Sequence, residues 1–428
     1  MITATHNLTE QQVKFKETAI HIANYLVKEA IWDGNRCNWI GHVVEALNGK
    51  YQVIRRSFSR DFYNGTSGIA YFLALVLQYH DDPIIEETLE GCINQVLGME
   101  GRTDDVGSNY GFYGGRVGVA YALIECGKMR NKQAWKNAGF ALLDKVCEEE
   151  IKPLEIDVIS GVAGGIPILL KYYKERNKHL YLATATKAAD FLIEIAEKNP
   201  TSWGWTLPMS KQPLTGYSHG NAGDALALLE VNHVVQNGKY KTAAMYGFAY
   251  ERQTYNPTVQ NWPDLRDLSA VGGTDSGPTY AEAWCHGAPG IALSRLRAWE
   301  LTGDQSFKQE AEVALGTTYR SVYNSLTHGI DYTNFGLCHG IAGNADVLLE
   351  GALQFENDMY RQLVMQVGEV GIEKYGKTGL NWPSGVNDPT GMTRGMQETP
   401  GFMLGLAGTG YFYLRLAFPE EVKCELVL

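Results

Sequence analysis

Seven pairs of glycines, each pair three residues apart, constrain this chain more than any other feature. They are Gly65/Gly68, Gly115/Gly118, Gly161/Gly164, Gly220/Gly223, Gly287/Gly290, Gly340/Gly343 and Gly405/Gly408, and their starts lie 50, 46, 59, 67, 53 and 65 residues apart. A recurrence of that length marks a repeat architecture. An apolar run follows the pairs. After the first it reads Ile69-Ala70-Tyr71-Phe72-Leu73-Ala74-Leu75-Val76-Leu77, and a helix apolar all round is buried all round. Amphipathic segments occupy 131–149, 178–198, 239–252, 304–324 and 356–374. Two more come early. One follows the capping box Thr9-Glu10-Gln11-Gln12 and carries Phe15, Ala19, Ile22, Ala23 and Leu26 on one face. The other opens at Asp82-Pro83 and runs to about Leu97.

The count is seven inner and seven outer helices. The expectation is an all-α chain of seven helical hairpins closed into an α/α toroid, with the glycine turns gathered at one end. Glycine suits sharp turns where helix starts crowd together. An open α-solenoid is the alternative. No stretch reads as a linker, so residues 1–428 are expected to form one domain. The least helical parts, 252–280 and 380–400, are rich in Gly, Pro, Asp and Trp and are expected as ordered loops over one end of the barrel. Residues 32–63 read as a Gly-rich, aromatic lead-in to the first turn.

A net charge of −11 argues against a nucleic-acid surface. No apolar run is long enough to span a bilayer, and Met1-Ile2-Thr3-Ala4-Thr5-His6 does not open a signal peptide. Seven cysteines, an odd and sparse number, suit a reducing compartment; cytoplasmic is the default.

The turns are decorated unequally. The first two carry Tyr63-Asn64 and Tyr113-Gly114, the third Asp157-Val158-Ile159-Ser160, the fourth His219, the fifth Cys285-His286, the sixth Cys338-His339 and the seventh only Met403-Leu404. Cysteine thiolate and histidine nitrogen are ligands zinc prefers. Cys285, Cys338 and His339 make a three-ligand set with one position open, as in catalytic zinc; with His286 added the set closes, as in structural zinc. Spacing leaves both open. His219 suits a general acid or base. Asp157 is either its orienting partner or a helix N-cap.

The series Gly216-Tyr217-Ser218-His219-Gly220-Asn221-Ala222-Gly223, Trp284-Cys285-His286-Gly287-Ala288-Pro289-Gly290 and Leu337-Cys338-His339-Gly340 resembles the lanthionine synthetase C-like family over essentially the whole chain. Pro400-Gly401-Phe402-Met403-Leu404-Gly405-Leu406-Ala407-Gly408 looks most like the C-terminal cyclase domain of class II lanthipeptide synthetases. The resemblance implies a zinc-dependent cyclase that adds a cysteine thiol of a precursor peptide to dehydroalanine or dehydrobutyrine, forming a thioether ring. It implies zinc on Cys285, Cys338 and His339, an active-site histidine at His219 and its aspartate at Asp157. Nisin-type cyclases place an arginine shortly before the first cysteine. Here Thr279-Tyr280-Ala281-Glu282-Ala283 stands there, and His286 becomes the candidate for part of the enolate contact. About 60 residues precede the first glycine turn, so dehydration is expected from a separate protein, or the chain is a fragment of a larger synthetase. A glutathione-adding relative and a zinc-stabilised peptide-binding scaffold are the other readings.

Overall fold

The computed structural model describes residues 8–47, 50–101, 106–208, 210–267, 278–330, 333–378, 381–386 and 397–428. The signal-peptide reading at residues 1–6, and residues 268–277, 380 and 387–396 of the two expected loops, lie outside them.

Among the described residues are fourteen α-helices: α1 (Glu10–Glu29), α2 (Thr66–Tyr79), α3 (Pro83–Gly98), α4 (Arg116–Met129), α5 (Gln133–Glu148), α6 (Val162–Arg176), α7 (His179–Ile195), α8 (Asn221–Val235), α9 (Gly238–Thr254), α10 (Ala288–Thr302), α11 (Gln305–Asn324), α12 (Ile341–Phe355), α13 (Asp358–Gly371) and α14 (Leu406–Ala417). Each even-numbered helix starts one residue after the first glycine of a pair. The odd-numbered helices are the amphipathic ones. The contrast in burial follows from composition: α2 buries every residue from Thr66 to Leu77, whereas α13 buries the single face Tyr360, Leu363, Val364, Val367, Gly368 and Gly371.

Local signals act as their chemistry requires. Thr9 accepts from the Gln12 backbone N–H and Gln12 returns the bond to the Thr9 N–H, closing the capping box of α1. Asp82 accepts from the N–H groups of Ile84 and Ile85, with Pro83 in the first turn of α3. The second glycine of the pair is required by close approach at several of these turns. A Cβ at Gly164, Gly223, Gly290 or Gly343 would fall on the carbonyl oxygen of Val158, Tyr217, Trp284 or Leu337, in each case six residues earlier. The first helical turn therefore rests on the backbone of the turn before it, and no side chain fits between.

The chain forms two compact units that alternate along the sequence: residues 1–106, 119–141 and 322–424, and residues 107–118, 142–321 and 425–428. In the first unit, α14 packs beside α1, α2 and α12, with α3 against α2 and α13 against α12. In the second, α6/α7 and α8/α9 form hairpins, and α8 lies between α6 and α10.

Residues 31–57 correct the expected lead-in. They hold two antiparallel hairpins, β1 (Ile31–Asp33) with β2 (Arg36–Asn38), and β3 (Ile40–Leu47) with β4 (Lys50–Ser57), the latter pairing Ile40 with Ser57 and Val43 with Ile54. A short pair, β5 (Glu197–Lys198) and β6 (Trp203–Gly204), lies in the second unit. Asn48-Gly49 between two eight-residue runs was the sequence signal for the longer hairpin.

Candidate functional site

In the second unit, three turns that precede inner helices are laced together. Asp157, 6% exposed, uses one oxygen to cap its own turn, accepting from the Ser160 N–H at 2.7 Å. The other oxygen lies 2.6 Å from His219 Nδ1. The helix N-cap reading of Asp157 does not hold: the N-cap of α6 is Gly161, which has no side-chain cap bond, and Asp157 braces the turn ahead of it while facing His219. Because a carboxylate only accepts, Nδ1 carries the proton, and Nε2 is left for exchange with another molecule. Burial works against a charged His219 ring, but the Asp157 charge and hydrogen bond outweigh it, and with help from Cys285 its pKa is raised. Next to His219, the Ser218 hydroxyl donates to the Cys285 carbonyl at 3.0 Å, while the Ser218 carbonyl accepts from the Val158 N–H at 3.2 Å. The turns bearing Asp157, His219 and Cys285 are therefore fixed to one another through Ser218.

Gly216 makes that fit possible. It sits at φ +98°, and a Cβ there would approach the Cys285 carbonyl oxygen at 3.1 Å and His286 Cα at 3.3 Å. The preceding Trp284 anchors the Cys285 turn. It is fully buried, packs edge-on to Tyr113 at 5.1 Å, and donates from Nε1 to the Leu426 carbonyl at 2.8 Å. Truncating such a side chain costs about 3–5 kcal/mol.

His286 is 2% exposed, and neither ring nitrogen has a hydrogen-bond partner. Its ring centroid is 6.0 Å from that of His219, and its Nδ1 is 3.9 Å from Asp264 Oδ1. Burial pushes its pKa down to about 4, so the ring is neutral near pH 7. Asp264 in turn is gripped by Arg266, whose Nε lies 3.0 Å from Oδ1 and whose Nη2 lies 2.6 Å from Oδ2. Burial would raise the Asp264 pKa, but the Arg266 hydrogen bonds and His286 bring it below the usual value. Sequence reasoning missed Asp264 and Arg266. The alternating polar residues of Asn261-Trp262-Pro263-Asp264-Leu265-Arg266, inside a loop otherwise read only as ordered, were the available signal.

The first unit carries Cys338 and His339. Cys338 is 4% exposed. The His339 ring is fixed by a bond of 2.7 Å between Nε2 and the Gly385 carbonyl. A carbonyl only accepts, so Nε2 holds the proton and Nδ1 keeps the lone pair a metal would need. The seventh turn, chemically blank in the sequence, does the positioning: the Met403 carbonyl accepts from the N–H groups of Leu337 and Cys338 at 2.8 and 3.0 Å, and the Leu404 carbonyl from Gly385 at 2.8 Å.

No helix among the described residues is long and apolar enough to cross a membrane. The chain is similar to the lacticin 481/lactococcin biosynthesis protein LcnDR2 of Lactococcus lactis subsp. lactis, at 25% identity over 310 residues, 72% of this chain and 31% of that protein. It is also similar to the glutathione S-transferase LANCL1 of Danio rerio, at 23% identity over 236 residues, 54% of this chain and 48% of that protein. The matches thus span less than half of these relatives' lengths. Among solved structures it resembles nisin cyclase, with a TM-score of 0.63 at 16% identity over 96% of this chain and 95% of that one. That likeness shows the fold, the all-α toroid of helical hairpins expected from the glycine repeat. The model of the lanthionine synthetase C-like protein matches residues 57–427, and the chain belongs to that family.

Proposed function

We propose that this protein is a zinc-dependent lanthipeptide cyclase, which joins a peptide cysteine to dehydroalanine or dehydrobutyrine as a thioether. The observation that carries the reading is the Asp157–His219 pair, hydrogen-bonded through its own turn to the turn of Cys285. It sets a proton donor with a free Nε2 beside a candidate thiolate ligand.

The metal is assigned to Cys285, Cys338 and His339, the ligand set that the family resemblance implies, with His286 left outside it. Two thiolates and one imidazole suit zinc, and the Gly385 bond leaves His339 Nδ1 as the ligand atom. Three protein ligands leave a position open, which favours catalytic over structural zinc. Zinc bound there would supply a Lewis acid that keeps a substrate thiol in its thiolate form near neutral pH.

The chain's own residues account for the rest. When a substrate thiolate adds to the alkene β-carbon, the π electrons move to the adjoining carbonyl as an enolate. His219, charged and held by Asp157, gives the Nε2 proton to the α-carbon. His286, neutral and buried, offers its ring N–H to the enolate oxygen, and Arg266, held by Asp264, supplies positive charge nearby. The substrate is the dehydrated precursor peptide. We assign the compartment to the cytoplasm and the whole chain to one domain, since the family match runs through both units.

The test is a pre-dehydrated, cysteine-containing peptide with metal analysis alongside. One zinc per chain and loss of free thiol at unchanged peptide mass are expected. His219→Ala should keep zinc and lose cyclisation. No water should be lost from serine or threonine with ATP. One zinc with no thiol consumed across several peptides would sink the cyclase and favour the binding scaffold. The likeness to the Danio rerio protein supports a second reading, addition of glutathione to the same alkenes; a product heavier by one glutathione would select it.

A further inference from the structure

Glu251, on the buried face of α9, makes no contact that the proposed chemistry uses, yet its carboxylate joins the machinery from behind. It is fully buried. Its Oε1 accepts from the N–H groups of Gly216 at 2.9 Å and Ala222 at 3.2 Å, the two ends of the turn that carries His219. Its Oε2 lies 3.3 Å from Arg295 Nη2 on α10. Arg295 is likewise fully buried, with Nε 2.6 Å from Glu310 Oε2 and its guanidinium 4.5 Å over the Phe248 ring. The Glu251 carbonyl accepts from Trp262 Nε1 at 3.0 Å, tying down the segment that leads to Asp264. Gly216, one of the two donors, is the residue packed directly on Cys285 and His286.

We propose that Glu251, paired with Arg295, is the positioning residue that holds the His219 turn against the Cys285 turn. A purely structural ion pair is a poor explanation for its placement. Burying a charge pair stabilises little over an apolar pair of the same volume, and α9 already packs on α8 and buries Tyr240, Ala243, Ala244 and Phe248. What apolar residues cannot do is accept from the Gly216 N–H and, with the same atom, share the Ala222 N–H that also reaches the Gly216 carbonyl at 3.2 Å. That bond fixes the span from 216 to 222, and with it the height of His219 over the Cys285 turn. Burial pushes the Glu251 pKa up to about 7, and the Arg295 charge and hydrogen bonds act against that rise.

The inference rests on His219 as the proton donor, and its test separates the two. Glu251→Gln keeps an oxygen for both N–H groups but turns an NH2 toward Arg295, donor against donor. Hydrogen–deuterium exchange of residues 214–223 should quicken roughly tenfold, with α10 unchanged. kcat for cyclisation should fall roughly tenfold at unchanged KM and unchanged zinc. Adding Arg295→Met removes the clash, and exchange and kcat should return to within about threefold of wild type. Wild-type exchange in the Glu251→Gln protein, or faster exchange across all of α8, α9 and α10 without rescue by Arg295→Met, overturns the proposal. If wild type cyclises nothing, the cyclase reading fails and the exchange arm still decides the positioning role.

Discussion

The same tripeptide, Cys-His-Gly, precedes α10 and α12, and the two histidines are used in opposite ways. His286 is buried to 2%, with both nitrogens unpartnered, and is neutral. His339 is half-buried, and its Nε2 is spoken for by Gly385. The glycine that follows makes the difference visible in the backbone: Gly287 sits at φ +88°, ψ −160°, whereas Gly340 is extended at φ −117°, ψ 174°. The peptide plane after His286 is thus rotated relative to that after His339. One turn holds an imidazole by its Nε2 against the Gly385 carbonyl; the other tucks it inward beside His219 and Asp264. Sequence identity over three residues does not fix function when the fourth variable is a dihedral angle that only glycine can take.

The largest effect expected from this difference is on the metal. His339→Ala should reduce zinc to below about 0.1 equivalent after dialysis, because it removes one of three ligands. His286→Ala should keep a full equivalent. Elemental analysis of both proteins decides it, and zinc lost from the His286 variant would erase the distinction and revive a closed, four-ligand site.

The next test addresses the backbone. Alanine at Gly287 meets both the strain of a positive φ and the Ala281 carbonyl, on which its Cβ would fall. Gly303, at φ +69° with nothing within 4 Å of a Cβ, is the control for strain alone. Gly303→Ala should cost about 1 kcal/mol and Gly287→Ala about 3 kcal/mol or more, read from urea midpoints. Equal losses would mean that the turn at Cys285 yields freely and does not set the His286 ring.

Much of the fold was legible because it rests on local rules. Glycine pairs, apolar runs, the Thr9–Gln12 box and the Asp82-Pro83 start each act within a few residues. The hairpins at 31–57 escaped because Gly and aromatic residues there masked a short-period pattern. At the site, residue types picked out Asp157, His219, Cys285, His286, Cys338 and His339, but not what supports them. Glu251 looks like any polar position on an amphipathic helix, and Met403 and Leu404 act through main-chain carbonyls, which carry no residue signature. Arg266 comes from 19 residues before Cys285 in the chain, where no motif points to it.

A third contrast concerns protons. A His286 pKa lowered to about 4 in the folded chain, against 6.5 for an ordinary histidine, means that the unfolded chain binds more protons between those values. Its contribution to stability is intact above pH 6.5 and is lost as pH falls toward 4. At pH 5 the loss is about 2 kcal/mol. His286→Phe should flatten that acid limb between pH 7 and 5. His219, raised rather than lowered, contributes stability below pH 6.5 that fades as pH rises through its folded value. An acid limb unchanged in the His286 variant would show that the ring is not held neutral.

The smallest effect is expected at Gly385, where the two histidines differ through a single carbonyl. A Cβ at this position would sit 3.1 Å from His339 Nε2 and 2.9 Å from Leu404 Cδ2. Gly385→Ala should displace the carbonyl that fixes the His339 tautomer without touching a ligand atom. Partners of this kind are typically worth 10–100-fold in metal affinity, and a shift of a few tenths of an ångström belongs at the low end. Zinc affinity by competition with a chromophoric chelator should therefore weaken about tenfold. The His286 side has no counterpart of Gly385, so the same measurement on Asp264→Asn should show no change in zinc affinity. If Asp264→Asn weakens zinc as much as Gly385→Ala does, both histidines report to the metal and the asymmetry between the two turns is one of degree.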